Sequence, residues 1–181
     1  MKELFGAVFD ESGNYRYRLW RRWDPSLPKL CFVMLNPSTA DATSNDPTIS
    51  RCVNMASRWG YGGLEVVNLF AYRSTRPRDL WGADDPVGTH NDLHIKRAAA
   101  HADACLLAWG NLPPSKIARS RAVLKILQAR NLYCLGFTKM NQPRHPLYLT
   151  ADVQLEQLLL ESKGDGLVLV TKLGAPGSAG F

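Results

Sequence analysis

The stretch Leu30-Cys31-Phe32-Val33-Met34-Leu35 is a continuous apolar run that stops at Asn36-Pro37. An apolar run of this length, without polar residues at alternate positions, is typical of a β-strand that is buried on both faces. Sheets are covered on both faces when helices connect their strands. The run therefore predicts a parallel strand in the middle of an α/β domain.

Three further apolar runs follow along the chain, and segments with helical spacing of apolar residues separate them. The runs cover residues 64–70, 104–109 and 131–135, and the helical segments cover residues 48–59, 91–102, 115–129 and 152–160. Strands that alternate with helices indicate crossover connections and a parallel sheet. We predict a three-layer α/β/α sandwich with a central, mainly parallel four-stranded sheet.

The chain has 181 residues, which is the length of one domain. We predict a domain of residues 1–162 and a C-terminal extension or flexible tail of residues 163–181, although residues 167–170 have the composition of a short added strand. No apolar run approaches the ~20 residues that cross a bilayer, and the N-terminus lacks the apolar core of a secretory signal. We therefore expect a cytoplasmic protein without a membrane partner.

Charge and cysteine content narrow the classes of function only a little. The formal net charge of +6 is compatible with a polyanionic partner but does not identify one. The cysteines show no spacing of a zinc or iron–sulfur site, and they are Cys31, Cys52, Cys105 and Cys134. We expect small buried hydrophobic side chains there, and neither a metal nor a cofactor.

Residues 15–23 alternate aromatic and basic side chains. On a strand, this alternation places Tyr15, Tyr17 and Leu19 on one face and the arginines on the other. Two interpretations are open. The segment is either a platform for nucleic acid, or an edge strand with its aromatic rings in the core and its arginines in water.

Polar residues gather where the predicted strands end, and ligands of open parallel sheets bind at that edge. The chain lacks the phosphate-binding, nucleophile-elbow and zinc-deaminase motifs. The residues at the strand ends include amides, an imidazole, arginines and aromatic rings. Such groups can hold a water, donate hydrogen bonds to a developing anion and clamp a flat base. Cleavage of an N-glycosidic bond requires these functions.

Several motifs resemble, in the same order, a bacterial family catalogued as domain of unknown function number sixteen forty-three. The resemblance covers most of residues 15–160. The motifs are Val33-Met34-Leu35-Asn36-Pro37-Ser38-Thr39-Ala40-Asp41, Asp46-Pro47-Thr48, Trp59-Gly60-Tyr61-Gly62-Gly63, Asn68-Leu69-Phe70-Ala71, Ala108-Trp109-Gly110 and His145-Pro146-Leu147-Tyr148-Leu149.

That family in turn resembles the uracil-DNA glycosylase superfamily. Members carry Asn-Pro or Asp-Pro after the first strand, Asn at the end of a second, an apolar-Trp-Gly third strand and a late His-Pro. The matching positions here are Asn36-Pro37, Asn68, Leu107-Ala108-Trp109-Gly110 and His145-Pro146. Met34-Leu35 and Ser38 replace glycines of many members, and Leu147 replaces a serine, which suggests a substrate other than plain uracil.

The resemblance implies a uracil-DNA glycosylase-like fold and a monofunctional, metal-free DNA glycosylase that flips out and excises a pyrimidine. Asn36 would position or activate the attacking water, Asn68 would bind the edge of the base, and His145 would stabilise the leaving base and approach the phosphate backbone. The same resemblance implies a role in anti-phage defence, through removal of a bulky modified pyrimidine such as a glucosylated hydroxymethylcytosine.

Several assignments are left as alternatives or as supporting contacts. Asp41 and, after it, Asp46 compete with Asn36 for the water, since a carboxylate is the stronger base. Pro37, Tyr72 and Tyr148 are expected to contact the base. The expected contacts to the DNA backbone, of double- or single-stranded DNA, come from Ser38, Thr39, Arg73, Arg76, Lys139 and Arg144.

Two other functions remain open, and we expect a monomer in every case. A non-catalytic module would bind a nucleotide or single-stranded DNA through its arginines and aromatic rings. A small-molecule enzyme would instead cleave or transfer the base of free nucleosides.

Overall fold

The computed structural model describes residues 4–150, 152–163 and 166–171. Its strands are β1 Phe5–Phe9, β2 Arg16–Arg22, β3 Lys29–Met34, β4 Gly63–Asn68, β5 Ala104–Leu107, β6 Leu132–Cys134, β7 Glu156–Lys163 and β8 Gly166–Thr171. Its helices are α1 Pro47–Arg58, α2 Pro77–Trp81, α3 Asn91–Ala100 and α4 Ile117–Leu127, with 3-10 turns at Pro114–Lys116 and Pro146–Tyr148. The four predicted strands and the first three predicted helices are confirmed as β3 to β6 and as α1, α3 and α4.

The described strands form one eight-stranded sheet in the order β1-β2-β4-β3-β5-β6-β7-β8. The central strands β4, β3, β5 and β6 pair in parallel, whereas β1 and β2 on one side and β7 and β8 on the other pair antiparallel. The α/β class is confirmed. The prediction of a mainly parallel four-stranded sheet is wrong, because a search for continuous apolar runs does not detect the half-exposed outer strands.

Helices cover both faces of the central strands. On β3, the side chains of Cys31 and Val33 belong to the core under α3 and α4, and those of Phe32 and Met34 belong to the core under α1. This division follows from the two-residue period of a strand. All four cysteines are free and buried, as expected.

The helix predicted over residues 152–160 is wrong, since residues 156–163 form β7. Leu158 pairs with Leu132 of β6 on one side and with Thr171 of β8 on the other. These long-range pairings override the local helical preference. The added strand expected near residues 167–170 is confirmed as β8, while residues 172–181 of the expected tail lie outside the described residues. The division of the chain at residue 162 stays a prediction.

A β-bulge in the first hairpin reverses the expected orientation of the first residues of β2. Val8 pairs with Arg18 and Phe9 pairs with Arg16, so Tyr17 is an extra residue on its strand. Arg16 consequently points to the same face as Leu19, which packs under α1. Tyr17 instead stacks on His94 of α3, with ring centroids 4.8 Å apart.

The interpretation of β2 as an edge strand places its arginines in water, and this is wrong for two of them. Arg16 is 2% exposed and Arg21 is 9% exposed. Both side chains donate to backbone carbonyls of the loop between β3 and α1, Arg16 to Ala40 (2.7 Å) and Arg21 to Asp41 (2.8 Å). They fix that loop to the sheet. Among the described residues, no helix is both long enough and apolar enough to cross a membrane.

Candidate functional site

A cavity of about 170 Å³ lies at the carboxyl ends of β3 and β4. Asn36, Asn68 and His145 line it, so the two amides and the imidazole singled out in the sequence meet at one place. Ser38 of the predicted set also lines the cavity, and so do Arg16 and Asp46. A larger groove of about 480 Å³ runs along the outer side of α1 and contains none of the predicted residues.

Asn36 lies two residues after the end of β3, and its amide nitrogen has a structural task. Nδ2 donates to the carbonyl of Ser74 (2.8 Å) and to that of Pro37 (3.0 Å). The backbone N–H of Ser74 donates in turn to the carbonyl of Pro37 (2.9 Å). These bonds join the loops that follow β3 and β4. Since Nδ2 is engaged, Oδ1 is the atom of Asn36 that can accept a hydrogen bond from a water.

Asn68 is the last residue of β4, beside Met34 of β3, and is 2% exposed. Within the described part of the chain, its Oδ1 has no hydrogen-bond partner. A buried acceptor without a partner costs about 1–3 kcal/mol, and a ligand that donates to it would recover this energy. The amide is therefore suited to binding the edge of a polar ligand.

A buried side chain from α3 holds the backbone beneath Asn68. Nδ2 of Asn91 donates to the carbonyls of Asn68 (3.0 Å) and Leu69 (3.1 Å), and Nε of Arg119 donates to the latter as well (2.7 Å). Asn91 is fully buried. Neither residue was predicted from the sequence, although Asn91 stands four residues before Ile95, on the apolar stripe of α3, and a polar residue on such a stripe is a signal.

His145 precedes the 3-10 turn Pro146–Tyr148, and its Nδ1 accepts from the backbone N–H of Leu147 (3.2 Å). A neutral ring that accepts at Nδ1 carries its proton on Nε2. Burial lowers the pKa of His145 below its ordinary value of 6.5, although the charge of Asp46 acts in the opposite direction. At neutral pH the imidazole is therefore uncharged and can donate from Nε2.

Three contacts position the segment that carries His145. Arg51 of α1 donates from Nη2 to the carbonyl of Leu149 and from Nε to that of Pro146 (3.3 Å). Gly110, after β5, donates its N–H to the carbonyl of Pro143 (2.8 Å) and adopts a φ of +73° that L side chains rarely take. The predicted motif Leu107-Ala108-Trp109-Gly110 thus supports the segment that carries His145, whereas no sequence signal indicated Arg51.

The two candidate carboxylates have different surroundings. Oδ1 of Asp41 accepts from the backbone N–H of Ser44 (2.7 Å) and of Thr43 (2.8 Å), and these bonds lower its pKa. Asp41 forms a local turn and does not line the cavity. Asp46 is buried, lines the cavity, and caps α1 by accepting from the N–H of Ile49 (2.8 Å).

Arg16 is a cavity residue that sequence reasoning missed. Burial lowers its pKa to about 10, against the opposing effect of Asp46, so the guanidinium keeps its charge at neutral pH. No sequence signal identifies it, because its inward orientation depends on the bulge opposite β1.

The other predicted residues whose side chains the structure describes do not line the cavity. Tyr72 packs edge-on against Tyr15, with ring centroids 5.6 Å apart. Arg73 donates to the carbonyl of Gly13 (2.9 Å) and lies over the Phe9 ring. Pro37 is buried. The side chains of Thr39, Arg76, Lys139 and Arg144 are exposed, and the side chain of Tyr148 lies outside the described structure.

A family model with the description "Protein of unknown function (DUF1643)" matches residues 16–147. The chain belongs to this family. In this DUF1643 member the matched range includes every residue that lines the cavity, from Arg16 to His145. Comparisons with curated proteins and with solved structures found no match. Among the described residues of this DUF1643 member, no group of three or more His, Cys, Asp and Glu could hold a metal ion.

Proposed function

We propose that the protein is a DNA glycosylase that flips a modified pyrimidine out of DNA and hydrolyses its N-glycosidic bond. The observation that carries the proposal is the meeting of Asn36, Asn68 and His145 in one cavity. The volume of about 170 Å³ is below the ~300 Å³ of sites for drug-sized ligands, which suits a single base ring. A bulky substituent would extend out of the cavity.

The fold supports the same proposal. The parallel strands β4, β3, β5 and β6 form a block with helices on both faces, and the cavity lies beyond the carboxyl ends of the first two. This arrangement is compatible with the uracil-DNA glycosylase-like core that the sequence motifs imply. The family resemblance also supports a role in defence against bacteriophages that carry modified bases.

Each cavity residue has a task in such a hydrolysis. The bond between the sugar and the base breaks, its electron pair leaves with the base, and water adds to the oxocarbenium-like sugar. The proton that the water loses ends on the released base anion, so the products are the neutral base and the sugar hydroxyl. Nε2–H of His145 donates to the base as negative charge develops there. Asn68 binds the base edge, Oδ1 of Asn36 accepts from the water, and the carboxylate of Asp46 favours the positive charge on the sugar.

Base flipping costs a few kcal/mol, and contacts to the phosphates of the distorted strand offset it. Lys139 and Arg144 are exposed on the segment that leads to His145, and Arg76 is exposed after β4. These side chains are the candidates for such contacts. Arg73 is less suited, since its guanidinium already binds the first hairpin.

The test is incubation with DNAs that carry different modified or deaminated pyrimidines, followed by alkali to cleave abasic sites. We expect strand cleavage with at least one base, and a rate about 10²-fold lower for Asn36→Ala, which removes the acceptor for the water. Mass spectrometry should identify the free base. Folded protein that releases no base from any substrate would refute the proposal, and an unchanged rate for Asn36→Ala would remove that residue from it.

The choice between the two aspartates can be decided with a matched pair of variants. Asp46→Asn should slow base release about 10²-fold, because it removes the only negative charge that lines the cavity among the described residues. Asp41→Asn should leave the rate within about twofold, since its carboxylate serves a local turn. Single-turnover rates on the same DNA measure both, and the reverse order of effects would assign the role to Asp41.

A nucleotide- or single-stranded-DNA-binding module remains the second candidate. The observation in its favour is the structural use of Asn36, whose amide nitrogen binds the adjacent loop. Such a module would retain DNA in a salt-sensitive manner without releasing a base.

A further inference from the structure

The strongest feature that the proposed reaction does not yet use is the cation of Arg16. Its side chain is 2% exposed and lines the cavity. Nη1 donates to the carbonyl of Ala40 (2.7 Å), whereas Nε has no hydrogen-bond partner among the described residues. A buried N–H of a charged group without an acceptor is costly, and a ligand acceptor would satisfy it.

The charge of Arg16 is also not neutralised by direct contact. Within the described residues, no carboxylate lies within 4.0 Å of its guanidinium in an ion pair. Asp46 is the only acidic residue of the cavity lining in the described part of the chain, and its oxygens accept from the backbone N–H of Ile49 (2.8 Å) and Ala40 (3.4 Å). The cavity therefore holds a cation whose hydrogen-bonding capacity is incompletely used.

Nε of Arg16 and Oδ1 of Asn68 both lack a partner among the described residues, and together they restrict which chemical groups a ligand can present to the cavity. A guanidinium only donates, so the group that faces Arg16 must be an acceptor, such as an oxo group or an anionic ring nitrogen. Asn68 Oδ1 accepts, so the group that faces it must be a donor. The edge of a pyrimidine carries neighbouring acceptors and donors of this kind. Hydrogen bonds from a charged donor to an anion are stronger than those to a neutral acceptor.

We propose that Arg16 is a ligand-binding residue that holds the acceptor edge of the base, so that the cavity binds the base anion more tightly than the neutral base. The inference rests on the proposed function, because that reaction releases the base as an anion. Arg16 would share the developing charge with His145, and the cation would favour bond cleavage before any proton reaches the base.

The test compares free uracil and 6-azauracil, which have the same ring shape. In mildly alkaline buffer, 6-azauracil is largely an anion while uracil is neutral, and Arg16 keeps its charge. Isothermal titration of the wild-type protein should show binding of 6-azauracil about tenfold tighter or more. Equal affinities, or no measurable binding of 6-azauracil, would overturn the proposal without any variant.

Arg16→Met should abolish the preference for the anion. The matched control is Arg21→Met, since Arg21 is also a buried arginine of β2 that binds the same loop, at the carbonyls of Asp41 (2.8 Å) and Ala42 (3.1 Å), but does not line the cavity. Arg21→Met should keep the preference. An unchanged preference in Arg16→Met, or its equal loss in both variants, would refute a specific role for Arg16.

Folding is checked by circular dichroism, and Arg16→Lys serves if the methionine variant does not fold. A lysine keeps the charge but lacks the second donor group, so the preference should fall without disappearing. Failure of the proposed function is a separate result. A protein that prefers the anion but releases no base from DNA supports the binding residue and refutes the glycosylase, whereas base release without anion preference does the opposite.

Discussion

Replacement of His145 by alanine should lower the rate of base release about 10³-fold. The neutral ring, whose Nδ1 accepts from Leu147, donates its Nε2 proton to the charge that develops on the departing base. Loss of one such preorganised donor lowers the rate about 10²–10³-fold in other enzymes. His145 is also the only cavity residue that comes from the part of the described chain after Thr75. Single-turnover rates on the best DNA substrate provide the measurement.

The pH dependence gives a second readout for His145. Its pKa is lowered by burial, so the rate should fall as the pH falls through a value below 6.5, where the ring gains a proton at Nδ1 and loses the bond from Leu147. Over the same range the unfolded chain binds more protons than the folded one, so the free energy of unfolding should also decrease.

The control for this variant is His101→Ala, at the exposed end of α3, where Nδ1 contacts the carbonyl of Arg97 (2.7 Å). It should leave both the rate and the acid limb of the profile unchanged. An acid limb that persists in His145→Ala would show that another group titrates there.

The largest expected effect on stability is that of Gly62→Ala. A Cβ atom at this position would lie 2.0 Å from the carbonyl oxygen of Asp24 and 2.7 Å from Cβ of Leu27. The backbone would have to shift to relieve these contacts. Two hydrogen bonds oppose such a shift, since the N–H of Gly62 donates to the carbonyl of Pro28 (2.8 Å) and its carbonyl accepts from the N–H of Asp24 (2.9 Å). We expect the free energy of unfolding to fall by at least about 3 kcal/mol, measured by urea denaturation.

Gly60→Ala is the matched control, two residues earlier in the same motif. Gly60 has a φ of +81°, and the described residues leave open space within 4 Å of a Cβ there. The cost should be the backbone strain alone, about 1–2 kcal/mol. Similar losses for the two variants would contradict the close approach at Gly62.

The central strands could be predicted because burial on both faces leaves a continuous apolar run, as in Lys29–Met34. The same physical reason explains why the outer strands were not predicted. β1 has one buried residue, Gly6, among exposed and half-buried ones, and so has β7, with Leu158, over residues 156–161, so neither strand has a continuous apolar run. Residues 156–163 also have enough helical character to hide a strand whose partners are distant in sequence. The size of the sheet could therefore not be inferred from local patterns.

The sequence predicts the part of the site that depends on the carboxyl ends of parallel strands lying at one edge of the sheet. Asn36, Asn68 and His145 follow or end strands of one parallel block, and the cavity contains all three. Spacing alone could not distinguish Asp41 from Asp46, because a turn inside a short loop decides which carboxylate faces inward. It could not identify Arg16 either, since one extra residue in a strand reverses the faces of its neighbours.

The single-residue bulge at Tyr17 has a consequence for how such proteins can diverge or be shortened. The positive charge of the cavity comes from the N-terminal hairpin, while the amides and the imidazole come from the later part of the chain. A truncated version that began at Lys29 would retain all three neutral groups and lose the cation. If the same residues paired without the bulge, Tyr17 would lie opposite Phe9 in place of Arg16 and would turn toward the face of Leu19. A change of pairing in this peripheral hairpin would therefore alter ligand choice while leaving every motif of the later chain intact.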